Sequence, residues 1–135
     1  IIRSMRNMSI KIIPPERVEQ EALVEWLSYH PLLKNFFHKT NNEGKRTALQ
    51  GHRLVKQGLR TGVSDLFIYY PVAEYNGLWL EVKRNKNYTL SEKSTDTWKA
   101  QEKFIDCVKS VGFAAHFCYG WLDGKNHVEN YLNGI

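Results

Sequence analysis

Asp65-Leu66-Phe67-Ile68-Tyr69-Tyr70, the turn residues Pro71 to Gly77, then Leu78-Trp79-Leu80-Glu81-Val82-Lys83: this stretch decides how the chain is read. Both flanks are rich in β-branched and aromatic residues, and a short loop joins them, so they read as a hairpin. Side chains alternate across a strand. Leu78, Leu80 and Val82 therefore face one way, and Trp79, Glu81 and Lys83 the other. In the partner run Leu66, Ile68 and Tyr70 alternate with Asp65, Phe67 and Tyr69. With the loop centred near residues 73 to 75, position 65 falls opposite position 83. Asp65, Glu81 and Lys83 then share one face at one end of the hairpin.

Outward from the hairpin, the period changes to that of helices. Pro14-Pro15 opens a helix over 16–29, with Val18, Ala22, Trp26 and Tyr29 at three- and four-residue steps and Pro31 as its stop. Phe36-Phe37-His38-Lys39 reads as a short strand, and Asn41-Asn42-Glu43-Gly44 as a turn. Residues 47–57 form a basic helix ended by Gly58. After the hairpin, residues 85–97 are polar and read as a loop. Residues 98–111 are helical, with Trp98, Gln101, Ile105 and Val108 along one face. Residues 113–119 make a further strand, and 121–132 a last helix. Residues 1–13 are expected to be a tail and 14–135 one domain. The order of elements predicts an α/β fold, a small mixed sheet flanked by helices.

The chain has 135 residues, and 42% hydrophobic with 24% charged residues excludes wholesale disorder. No apolar run is long enough to span a membrane. The two cysteines, Cys107 and Cys118, sit in apolar sequence and have no zinc-site spacing; they are expected as reduced thiols in a core. None of the five histidines is paired at a metal-site spacing. The net charge is +5, and its distribution is uneven. From Lys34 to Arg60 there are seven Lys/Arg and a single acid, Glu43, a local net charge of +6. Lys83-Arg84-x-Lys86 adds a second basic cluster. Such a surface suits a polyanion held through its backbone.

A carboxylate pair with open positions suits a hard cation such as Mg²⁺, which takes oxygen ligands and keeps several waters. Such a cation activates water and stabilises charge on a phosphodiester, and a neighbouring lysine can hold the water or neutralise the phosphate. The same charges also suit a solvated strand face with a Glu81–Lys83 ion pair. Three features favour the site. Gly62-Val63-Ser64 places a glycine turn just before Asp65. Gln101 interrupts an apolar helix stripe, and a buried amide needs a partner. Glu16, Glu19 and Glu21 offer a third carboxylate from the first helix. Phe67, Tyr69 and Trp79 on the site face read as a surface for helix packing.

Asp65 followed after 15 residues by Glu81-Val82-Lys83 resembles the PD-(D/E)XK nuclease signature. The wider order is more specific: Glu16-x-x-Glu19-Gln20, Gly44-Lys45-Arg46, Gly51-x-Arg53-Leu54-x-Lys56-x-Gly58-x-Arg60-x-Gly62-Val63-x-Asp65, then Glu81-Val82-Lys83 and Gln101-x-x-Phe104. This set resembles the VRR-NUC (virus-type replication-repair nuclease) family, in its small stand-alone phage and bacterial form, over nearly the whole chain. Ser64 stands where the signature has proline, a change that removes no chemistry.

The resemblance implies a restriction-endonuclease-like core and Mg²⁺-dependent DNA cleavage, with Mn²⁺ able to substitute. It implies Asp65, Glu81 and the Val82 carbonyl as metal ligands, Lys83 as catalytic lysine and Gln101 as its support. Glu19 would be the accessory acid, ahead of Glu16. Lys45, Arg46, Arg53, Lys56, Arg60, Arg84 and Lys86 would contact DNA. Branched or junction DNA, a homodimer and the cytoplasm of a bacterial or phage-infected cell complete the expectation. The competing readings are a DNA-binding module that kept the fold without the chemistry, and an end-directed nuclease or nickase within a larger complex.

Overall fold

The structure, a computed structural model, describes residues 12–40 and 47–135. Its elements run α1 (Glu16–Tyr29), β1 (Phe37–Lys39), α2 (Ala48–Lys56), β2 (Leu66–Ile68), β3 (Leu78–Lys83), α3 (Leu90–Lys93), α4 (Asp96–Lys109), β4 (Ala114–Tyr119) and α5 (Trp121–Leu132). The four strands form one mixed sheet in the order β1-β2-β3-β4. β1 and β2 pair antiparallel, as do β2 and β3, whereas β3 and β4 are parallel. A parallel pair needs a crossover, and α4 supplies it. No described helix is long and apolar enough to cross a membrane.

Leu66, Ile68, Leu78, Leu80 and Val82 are fully buried on one sheet face, against Leu23 and Leu27 of α1 and Val128 and Tyr131 of α5. Burial of each such side chain contributes about 1.5–3 kcal/mol. The opposite face of β3 carries Trp79, Glu81 and Lys83 and is covered by α4, where Phe104 sets its ring edge on Trp79 at 4.9 Å. The two helical layers therefore differ in what they cover: α1 and α5 seal an aliphatic face, and α4 covers the face that holds the charges.

Several expectations need correction. The hairpin pairs Leu66 with Leu80 and Ile68 with Leu78, which brings Asp65 opposite Glu81 and not Lys83. A shift of two residues keeps every side chain on its face, so the grouping survives. In α1 the buried stripe is Glu19, Leu23 and Leu27, while Val18 and Tyr29 are 39% and 81% exposed. Two apolar sets share helical spacing here, and the longer aliphatic pair takes the core. The segment 85–97 is not all loop: a Thr89–Glu92 capping box starts α3, and Thr95 caps α4 from Asp96. Cys107 is exposed, and only Cys118 is in the core. Tyr69 is 41% exposed, so helix packing accounts for Trp79 and Phe67, stacked at 4.1 Å, and not for Tyr69. The expected turn at 41–44 lies outside the described residues.

At the far side of the sheet His116 of β4 stacks on His127 of α5, centroids 4.2 Å apart. Burial, then the neighbouring His127 and Lys109, push the His116 imidazole down to about 4. An unfolded chain takes up that proton near the ordinary value of about 6.5. The folded state therefore loses stability as pH falls from about 6.5 towards 4. In thermal denaturation, His116→Gln is expected to flatten part of the fall in Tm over that window. An identical fall in both proteins would refute the exclusion of the proton.

Candidate active site

Asp65 sits at the point where the β2–β3 ladder ends. The last paired residues are Leu66 and Leu80, so the Val82 amide lies beyond the reach of β2's backbone. The Asp65 side chain takes its place: Val82 N–H donates to Asp65 Oδ2 at 2.7 Å. The Lys83 carbonyl accepts from Gly120 N–H at 2.9 Å and the Glu81 carbonyl from the Cys118 thiol at 3.6 Å, both on the β4 side. Alternate carbonyls of a strand point to opposite neighbours, so the Val82 carbonyl points to the Asp65 side.

Glu81 projects from the same strand end, 2% exposed. Its carboxyl stands beside that of Asp65, with ligand oxygens no more than 4.8 Å apart. Among the described residues Glu16, Asp65 and Glu81 form a cluster whose ligand oxygens all lie within 4.8 Å of one another. Burial pushes the Glu81 carboxyl up to about 10, with the neighbouring carboxyl of Asp65 next in importance and Lys83 acting the other way. Three carboxylates so close cannot all be ionised without a compensating cation. The donors are all hard oxygens, the set a divalent ion such as Mg²⁺ takes.

Lys83 is buried on the same face, and its Nζ donates to Gln101 Oε1 of α4 at 2.7 Å. No ion pair links Lys83 to Glu81 among the described residues, so the solvated, salt-bridged strand face does not describe this hairpin. A groove of about 400 Å³ opens over Asp65 and Glu81, with Arg60 and Gln101 among the residues that line it. Its loop passes very close to α4. Gly62 has φ +83°, and a Cβ there would stand 2.5 Å from the Ala100 carbonyl oxygen. A side chain at 62 would therefore be both strained and blocked.

The third carboxylate of the cluster comes from Glu16, at the first turn of α1. Glu19, one turn on, is 7% exposed and lies at the turn between β4 and α5, where its Oε2 is 2.7 Å from the place a Gly120 Cβ would occupy. The resemblance put Glu19 ahead of Glu16 as accessory acid; the two share helical spacing, and it is Glu16 that joins Asp65 and Glu81 in the cluster. Of the basic residues, Arg53 and Lys56 are exposed on α2, no residue of which is buried. Arg60 lines the groove. Arg84 is spent on the chain itself, donating to the carbonyls of Pro14 and Ile13 at 3.3 and 3.1 Å, and Lys86 pairs with Glu92 at 2.8 Å. Lys45 and Arg46 lie outside the described residues. One neighbour went unread: Trp98, assigned to a core stripe, lies beneath the Lys83 ammonium, 4.5 Å from Nζ to ring centroid.

The Glu81 carboxyl has a direct consequence for the metal-free protein. Between about 4.5 and about 10 it is protonated when folded and ionised when unfolded, so stability falls as pH rises across that window. Glu81→Gln keeps the shape without the charge. In buffer with EDTA it is expected to raise Tm at pH 8, with the gain shrinking towards pH 5. Equal Tm values at pH 8 would contradict the protonated carboxyl.

No family model matches this sequence, and no curated protein matches it. A solved structure described as a "VRR_NUC domain protein" does match, with a TM-score of 0.73 over 89% of this chain and 89% of that one, at 19% identity. The chain therefore has the restriction-endonuclease-like α/β fold of that VRR-NUC domain.

Proposed function

We propose that this chain is a metal-dependent deoxyribonuclease of the VRR-NUC type that hydrolyses phosphodiester bonds. The observation that carries the reading is the convergence of Glu16, Asp65 and Glu81, with Asp65 and Glu81 lining a groove and the buried Lys83 two residues further along β3. Asp65, Glu81 and the Val82 carbonyl would hold a divalent cation, Mg²⁺ with Mn²⁺ able to replace it. Glu16 is the better placed third carboxylate, and Glu19 supports the turn behind it. When bound, the cation supplies charge neutralisation at the phosphate and lowers the pKa of a water. Asp65 orients the site through its bond to Val82 N–H. Lys83, held by Gln101, presents a positive charge to the phosphate oxygens or the attacking water. The walls of the groove keep the scissile phosphate against these groups.

DNA would lie along the groove with Arg60 beside it and α2 as an outlying basic arm. On α2 the half-buried positions are Gly51 and Leu54, so helical spacing turns His52, Arg53 and Lys56 outward. Branched DNA is the substrate we favour. One such domain holds one site, and paired cuts on a junction require two copies, so we propose a homodimer.

Gel analysis of circular, linear and four-way-junction DNA with Mg²⁺ or EDTA tests the reading. Cleavage is expected with Mg²⁺, absent with EDTA, and strongest on the junction. Asp65→Ala and Lys83→Ala are each expected to abolish it while leaving DNA binding within a few-fold. Undiminished Mg²⁺-dependent cleavage by Lys83→Ala would sink that residue's role. Binding without cleavage by the unaltered protein would favour the non-catalytic module, and cutting of linear DNA alone an end-directed enzyme. For the surface, Arg53→Ala with Lys56→Ala is expected to reduce the slope of log K against log salt by about 1.8, two phosphate contacts' worth. An unchanged slope would take α2 out of the interface.

A further inference from the structure

Lys83 is 7% exposed, and among the described residues no carboxylate forms an ion pair with it. A buried ammonium without such a partner needs another source of stabilisation. Gln101 satisfies one of its three donors. The rest of the environment is aromatic: Nζ stands 4.5 Å from the Trp98 ring centroid and 5.8 Å from that of Phe117. The Trp98 indole is itself fixed, stacked on Phe117 at 5.1 Å with planes 9° apart and flanked by Tyr88 at 5.0 Å. It is 6% exposed. A ring face attracts a cation through its quadrupole. Unlike a carboxylate, it does not neutralise the charge. The ring is also not among the residues that line the groove over Asp65 and Glu81.

We propose that Trp98 is a positioning residue for the reaction, its indole face seating the Lys83 ammonium beside the carboxylate cluster with its positive charge left available to the substrate. This rests on the nuclease reading for its catalytic part. Gln101 and Trp98 lie three residues apart on α4, so one helix face provides both the hydrogen bond and the ring. The crossover helix thus sets where the lysine head can be. A purely structural Trp98 would need the ring's shape and not its electrons.

The test keeps the shape and drains the face. Mono-, di- and trifluorotryptophan are placed at position 98 by nonsense suppression in the otherwise unaltered chain, and junction cleavage is followed with Mg²⁺. The expected result is a stepwise fall in kcat, about two- to threefold per fluorine, with KM for DNA within twofold and Tm unchanged. Trp98→Phe, which keeps a face, is expected to retain more kcat than Trp98→Leu, which should lose roughly ten- to thirtyfold. A second readout needs no activity. With ¹³C-labelled lysine, the Lys83 ε-methylene resonance, assigned by its loss in Lys83→Met, is expected upfield from the ring current and back at the ordinary position in Trp98→Leu. Full kcat in the trifluoro protein would overturn the positioning role while leaving the nuclease reading intact. An unshifted Lys83 resonance in the unaltered protein would overturn the seat itself. No cleavage by the unaltered protein on any DNA would overturn the nuclease reading, and the catalytic part of this inference with it.

Discussion

A hydrogen bond of 2.7 Å from the Val82 amide to Asp65 Oδ2 closes the open end of the β2–β3 hairpin. It solves a backbone problem with a side chain. β2 is only three residues long, so the strand that should pair with Val82 has already ended. A buried amide left without an acceptor costs about 1–3 kcal/mol. The carboxylate that fills the gap is thereby held at the end of β3, next to the carboxyl of Glu81. Concentrated negative charge is a consequence of that arrangement. The fold accepts it by keeping Glu81 protonated near neutral pH, its carboxyl raised to about 10. A cation would remove the need for that proton, and this ties the backbone solution to metal chemistry.

The rest of the molecule divides according to this end of the hairpin. On one face α1 and α5 pack against Leu66, Ile68, Leu78, Leu80 and Val82, so the strands cannot slide without exposing aliphatic surface. On the other face α4 meets charged and aromatic groups, and its Gln101 and Trp98 both serve Lys83. A rigid aliphatic layer fixes where the strand ends stand. The second layer then adjusts what surrounds them. The same division accounts for the tight passage at Gly62, where the loop leading to Asp65 runs against Ala100 of α4. The groove over the cluster exists because that loop and that helix meet there without side-chain bulk.

The large elements were legible because their periods are clean. Helix α1 runs over the residues read from the sequence, α5 likewise, and the hairpin's alternation gave the correct faces for Glu81 and Lys83. What was misread has local physical causes. The register moved by two because the ladder is centred on residue 73, one position before the middle of the expected loop, and the turn there carries a Val72–Tyr75 bridge with Ala73 at φ 53°, a geometry that composition does not announce. The buried stripe of α1 was misassigned because Ala22, Trp26 and Tyr29 share a helical spacing as good as that of Leu23 and Leu27. The choice between Glu16 and Glu19 depends on how α1 is rotated over the sheet, which is tertiary information. Capping boxes at Thr89–Glu92 and Thr47–Gln50 were available signals, and the first would have located α3.

The distribution of basic residues follows the same logic at the surface. Positive charges close to the strand end are engaged by the chain, Arg84 with the carbonyls ahead of α1 and Lys86 with Glu92. Arg53 and Lys56, on α2, are exposed. A cation bound inside would sit next to a lysine that is already positive, so additional free arginines there would work against it. Positive charge placed at a distance attracts a polyanion without competing for the carboxylates. The separation between an inner set that is buried, neutralised or seated on a ring and an outer set that is solvated therefore follows from holding three carboxylates and an ammonium close together at one strand end.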